Sequence, residues 1–126
     1  MTNIIPCITL YLRQIIELSK WIAQTRKGTL ELGILVLLRA RKRYGLEILE
    51  ILERNSGMVI TEGTLYPLMN RLKREGLVIS EWVESESGHP RKYYSLSREG
   101  KRLVEQMIEY WSTFSNTLSR LIEEGR

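Results

Sequence analysis

At Gly76 the hydrophobic pattern of this chain changes period, and that change limits what it can fold into. Before the glycine, residues 61–77 (TEGTLYPLMNRLKREGL) are bounded like a helix: Thr61 suits an N-cap, Gly76 a C′ position, and Lys73 and Arg74 stand in the last turn. Leu65, Leu68 or Met69, and Leu72 recur at helical spacing and would face a core. Pro67 forfeits a hydrogen bond to Gly63, so one helix from about Glu62 with a local bend is expected. After the glycine, residues 77–83 are rich in β-branched and aromatic types, residues 84–90 are turn material, and residues 91–96 return as a second strand. A helix that runs directly into a hairpin is the central expectation.

Upstream, Pro6 suits the first turn of a helix over residues 7–25, with Ile8, Leu12, Ile15, Ile16, Trp21 and Ile22 apolar and Arg26-Lys27-Gly28 as its end. Its apolar face needs either the body of the domain or a second subunit. Thr29 then caps a helix carrying Leu30, Ile34, Leu37 and Leu38, which gives way to the basic cluster Arg39, Arg41, Lys42 and Arg43. That cluster reads either as a solvated helix end or as a phosphate clamp. Tyr44 and Gly45 open a third helix with Leu46, Leu49, Ile51 and Leu52, closed by Asn55-Ser56-Gly57. Two helices joined by a short turn, the second polar on its outer side, make a helix-turn-helix; the following hairpin makes it winged.

Ser97 caps a last helix that runs to about Glu124. Along it Val104, Met107, Trp111, Phe114, Leu118 and Leu121 keep alternating three- and four-residue steps, an a/d seam of the kind that pairs helices. The seam implies a dimer; the alternative is a helix lying back on its own domain. The expected fold class is therefore mainly α with a small β-hairpin. It comprises a winged helix-turn-helix domain over residues 28–96, an N-terminal helical extension over 1–27 and a C-terminal dimerisation helix over 97–126.

Composition removes other classes. The 126 residues suit one domain, and a net charge of +4 permits nucleic-acid binding without demanding it. There is one Cys (Cys7), one His (His89) and no Asp, so a Cys/His metal site within one chain lacks ligands and catalysis is disfavoured. No metal and no cofactor are expected. A single Cys excludes an intrachain disulfide and fits a reducing cytoplasm. The first twelve residues are uncharged, with Ile4, Ile5, Ile8, Leu10 and Leu12 apolar, but they lack a basic start and a small-residue cleavage site. Arg13 and Glu17 interrupt the run too soon for a membrane span, so a cytoplasmic, soluble chain is expected.

The runs GTLYPLMNRLKREGL (63–77) and GHPRKYYSLSREG (88–100), with Tyr44-Gly45-Leu46-Glu47-Ile48 and Lys27-Gly28-Thr29-Leu30, resemble the PadR family of bacterial and archaeal transcriptional regulators. The resemblance covers residues 27–100 closely and the last helix in pattern. It implies a homodimeric repressor that binds an inverted repeat in double-stranded DNA and responds to small aromatic or amphipathic effectors. Carried over, DNA contacts fall on Tyr44, Thr64, Tyr66, Pro67, Asn70, Arg71 and Arg74, with Arg91 and Lys92 in the wing. Arg71, Arg74, Arg91 and Lys92 suit phosphates, Asn70 suits adenine, and Thr64 a thymine methyl or a phosphate. Tyr66 either touches DNA or packs on the wing. Trp21, Met107, Trp111 and Phe114 either line an effector cavity or pack the seam. Two departures stand out: His89 replaces the family's usual Arg at the wing tip, and the N-terminal helix is one that many members lack. The competing reading is an adaptor that keeps the fold and docks proteins through its heptad helix.

Overall fold

The computed structural model describes residues 5–55 and 58–126. Ile4, in the expected extension, and Ser56 and Gly57, in the expected turn, lie outside the described residues. The elements in order are α1 (Ile5–Ala40), β1 (Arg43–Tyr44), α2 (Gly45–Glu53), α3 (Glu62–Arg74), β2 (Val78–Val83), β3 (Arg91–Leu96) and α4 (Arg98–Glu124). The chain forms two compact units divided after Leu30.

The first unit is helical from Ile5 onward, and its Ile8, Leu12, Ile15, Ile16 and Trp21 are exposed. The expected break at Arg26-Lys27-Gly28, with Thr29 capping a new helix, is corrected: α1 continues through it. A glycine costs a helix only about 1 kcal/mol, too little to end it without a proline or a competing cap. Thr29 does not cap; its hydroxyl donates to the Thr25 carbonyl at 2.8 Å, a bond made within a helix.

The second unit carries the core. Ile34, Leu35 and Leu38 of α1, Ile48 and Leu52 of α2, and Leu65, Met69 and Leu72 of α3 are buried together with Val78, Tyr94, Leu96 and Val104. The α2 and α3 sets fall at i, i+4 and at i, i+4, i+7, one stripe on each helix. Each such aliphatic side chain is worth about 1.5–3 kcal/mol when fully buried. Between Leu68 and Met69 the core takes Met69, and Leu46 of α2 stands exposed.

The sheet has three strands in the order β1-β3-β2, all antiparallel. The hairpin register runs from Val78↔Leu96 to Val83↔Arg91, with Trp82 opposite Lys92. The third strand is an addition to the expected hairpin: Arg43 and Tyr44 pair with Tyr94 and Tyr93. A two-residue strand is too short to display an alternation.

The end of α3, the start of β2 and the start of α4 meet at one junction. Gly76 adopts φ 76°, and the Gly76 and Leu77 amides donate to the Lys73 and Leu72 carbonyls, closing α3 in a Schellman motif. The Ser97 hydroxyl accepts from the Gly100 amide at 3.0 Å and donates to the Gly76 carbonyl at 2.6 Å. The Ser97 amide donates to the Leu77 carbonyl, and a Cβ at Gly100 would collide with that same oxygen. Ser97→Ala is expected to cost about 1–2 kcal/mol as a lost cap. Gly100→Ala is expected to cost more, since backbone rather than a flexible side chain must yield. Urea unfolding of both variants checks the order.

Candidate nucleic-acid interface

Helix α3 presents two different sides. With its core stripe inward, successive residues turn about 100°, so Gly63, Tyr66, Pro67, Asn70 and Arg74 share the opposite side, and all are exposed. Thr64 is exposed on the flank next to Arg71. Thr61 holds the N-cap position through its backbone, which accepts from Thr64 and Leu65; its hydroxyl makes no capping bond. Pro67 lies inside the one continuous helix.

The wing supplies the facing wall. An open cleft of about 520 Å³ is lined by Tyr44, Gly45, Leu46, Tyr66, Asn70, Trp82, Arg91, Lys92 and Tyr94. The Arg91 guanidinium lies 4.5 Å from the Tyr44 ring centroid, and Lys92 Nζ lies 5.9 Å and 5.8 Å from the Trp82 and Tyr94 rings. Aromatic faces hold these cations in place without neutralising them. The Tyr66 ring reaches the start of α2, where a Cβ at Gly45 would stand 2.6 Å from its hydroxyl. At 38% exposure Tyr66 does both of the things its sequence position allows: it packs, and it keeps an edge in the cleft. Tyr94 is buried behind it; burial, and secondarily the neighbouring Tyr66, raises its pKa above the ordinary phenol value.

The cations sort into two groups. Arg39 pairs with Glu105, Lys42 with Glu81, and Arg41 and Arg43 both with Glu47. The basic cluster is therefore compensated by carboxylates contributed from α2, β2 and α4. Arg71 is bonded to Glu31 and Glu75; the hydrogen bond to Glu75 first, then that to Glu31, raises its pKa above the ordinary guanidinium value. Arg74, Arg91 and Lys92 form no ion pair among the described residues.

The fold thus gathers Tyr44, Tyr66, Asn70, Arg91 and Lys92 at one cleft, with Pro67 and Arg74 on the adjoining helix face, and leaves Arg71 and Thr64 to one side. Sequence reasoning missed Trp82, which is 68% exposed in that cleft; its place across from Lys92 was the available signal. It also missed Glu31, whose link to Arg71 spans 40 residues and leaves no local trace.

Elsewhere, Val104 is 0% exposed and spent on the chain's own core, so the outward part of the expected seam begins at Met107. Trp111, Phe114, Leu118 and Leu121 are exposed on α4 together with Tyr110 and Ile122. Trp111 and Phe114 rings lie 6.3 Å apart, and Trp21 belongs to the first unit. Among the described residues no group of three or more His, Cys, Asp or Glu side chains is placed to hold a metal ion, and no helix is long and apolar enough to cross a membrane.

Residues 34–106 match the family described as transcriptional regulator PadR-like. An uncharacterized protein of Lysinibacillus sphaericus is 30% identical over 99 residues, spanning 77% of this chain and 91% of that one. The crystal structure of a PadR family transcriptional regulator from Eggerthella lenta is 34% identical, with a TM-score of 0.76 over 89% of this chain and 97% of that chain. A PadR-like transcriptional regulator from Bacillus cereus is 31% identical, with a TM-score of 0.74 over 79% and 96% of the two chains.

Tyr94 makes a pH prediction. A phenol whose pKa is higher folded than unfolded stabilises the fold below the unfolded value of about 10, and that contribution is lost as pH rises through the folded value. Stability measured by urea unfolding is expected to fall more steeply above pH 10 in the wild type than in Tyr94→Phe.

Proposed function

Because the chain belongs to the PadR-like family of transcriptional regulators, we propose that it is a homodimeric repressor whose α3 and wing read one half of an inverted-repeat operator in each protomer. The observation that carries this reading is a group of cations without carboxylate partners among the described residues, Arg74 on the outward side of α3 and Arg91 and Lys92 at the tip end of the wing, gathered beside an open cleft. A phosphate backbone is the ligand that such charges suit.

In this reading Arg74, Arg91 and Lys92 take phosphates, while Asn70 bonds an adenine edge and Thr64, Tyr66 and Pro67 set the approach to the groove wall. Tyr44 holds Arg91. Three free cations in each of two copies neutralise roughly six phosphates, so the slope of log affinity against log salt is expected near about −5. Two copies require the exposed α4 stripe, from Met107 to Leu121, to be covered by a second chain that sets the half-sites about 34 Å apart. The Trp111 and Phe114 rings in that stripe are where a planar, apolar effector would enter and shift the spacing. Compartment follows function: a chromosomal operator puts the protein in the cytoplasm.

Binding to duplexes from the promoter region upstream of its own gene tests the proposal. An inverted repeat is expected to be preferred over random duplex; equal affinity for both contradicts specific regulation. Arg91→Ala and Lys92→Ala are each expected to flatten the salt slope by about one, and Asn70→Ala to cost about 1–3 kcal/mol and relax selectivity at one base pair. Sedimentation is expected to give twice the chain mass, and Phe114→Glu to give monomers that bind the repeat weakly.

A further inference from the structure

We infer that Arg71 is a positioning residue, gripped by Glu31 of α1 and Glu75 of α3 so that the reading helix is fixed in rotation about its own axis, and that it makes no phosphate contact. The inference rests on α3 being the element that reads DNA.

Arg71 Nη1 donates to both carboxylate oxygens of Glu75 at 3.1 Å, and Nη2 donates to Glu31 Oε2 at 3.0 Å. Two carboxylates about one guanidinium leave the group with a net negative charge, which a phosphate would avoid. The Glu31 side of the grip is the more sheltered, its side chain 25% exposed against 39% for Arg71 and 47% for Glu75. Partial desolvation and multiple hydrogen bonds make such a group firmer than an isolated surface pair. The Glu75 bond is local, at i, i+4, and preorganises the arginine; the Glu31 bond is the one that crosses from α3 to α1. Arg71 lies about 100° around α3 from Asn70, on the flank turned to α1 rather than to the cleft.

The rotation it fixes matters because the reading side is narrow. Turning α3 by about 20° at a side-chain radius of about 5–6 Å moves Asn70 and Arg74 by roughly 2 Å. That is enough to break a bidentate contact with a base edge, whose hydrogen bonds tolerate only a few tenths of an ångström.

The test uses the full chain and two probes: a duplex enriched by the wild type from a random-sequence pool, and an unselected duplex. Glu31→Gln removes a negative charge and, on a phosphate role for Arg71, would free the arginine and strengthen binding to both. The clamp predicts the opposite for the enriched duplex, a loss of about ten-fold, with the unselected duplex bound as before. Arg71→Lys keeps a cation but loses the two-sided grip, and is expected to show the same selective loss with an unchanged salt slope. Tighter binding by Glu31→Gln, or a slope flattened by about one in Arg71→Ala, would overturn the inference. If the wild type enriches no duplex, it is the DNA-reading proposal that fails. The clamp is then judged by a double-mutant cycle between positions 31 and 71 in urea unfolding: coupling supports it, and its absence overturns it.

Discussion

The interface hangs on the turn at Gly76. A left-handed residue there lets α3 stop in a single step, with its last carbonyls satisfied and Leu77 already on course into β2. The same few atoms receive α4: Ser97 bonds the Gly76 and Leu77 carbonyls, and Gly100 has no side chain to hold the two backbones apart. Helix α3, the wing and α4 therefore share one corner. Only Ser97 separates β3 from α4, so α4 leaves the sheet without an intervening loop.

Charge is economised around that corner. The chain is only mildly basic, and the densest cationic run, at residues 39–43, is taken up by Glu47, Glu81 and Glu105. These pairs link α1 and the segment after it to α2, β2 and α4, and they lower the charge that the run offers to an outside anion. Among the cations without an ion pair in the described residues, Arg74, Arg91 and Lys92 lie together at α3 and the wing, with aromatic rings beside Arg91 and Lys92. A net charge of only +4 gives little indiscriminate attraction to polyanions, so affinity depends on local contacts.

Much of this was legible in the sequence, for a physical reason. The end of α3, the hairpin and the cap of α4 are governed by local hydrogen bonding and side-chain period, and Gly76, Ser97 and the strand composition announce them. What was not legible depends on partners distant in the chain. Glu75, four residues from Arg71, was legible as an offsetting charge, but the pairs of Arg71 with Glu31, Lys42 with Glu81 and Arg39 with Glu105 form only after folding. Strand β1 is too short to carry a period. The supposed break at Gly28 shows the converse error: a weak local preference was read as a boundary that the longer helix overrides. Val104 continues the heptad spacing into a region where that spacing serves the chain's own core.

Amide chemical shifts followed while the protein is titrated with its preferred duplex locate the surface that meets DNA. The largest shifts are expected in residues 63–74 and at 82 and 91–92, with the exposed side of α4 from Tyr110 to Ile122 unperturbed by direct contact. Shifts concentrated on α4, with the cleft between α3 and the wing left unchanged, would contradict this expectation.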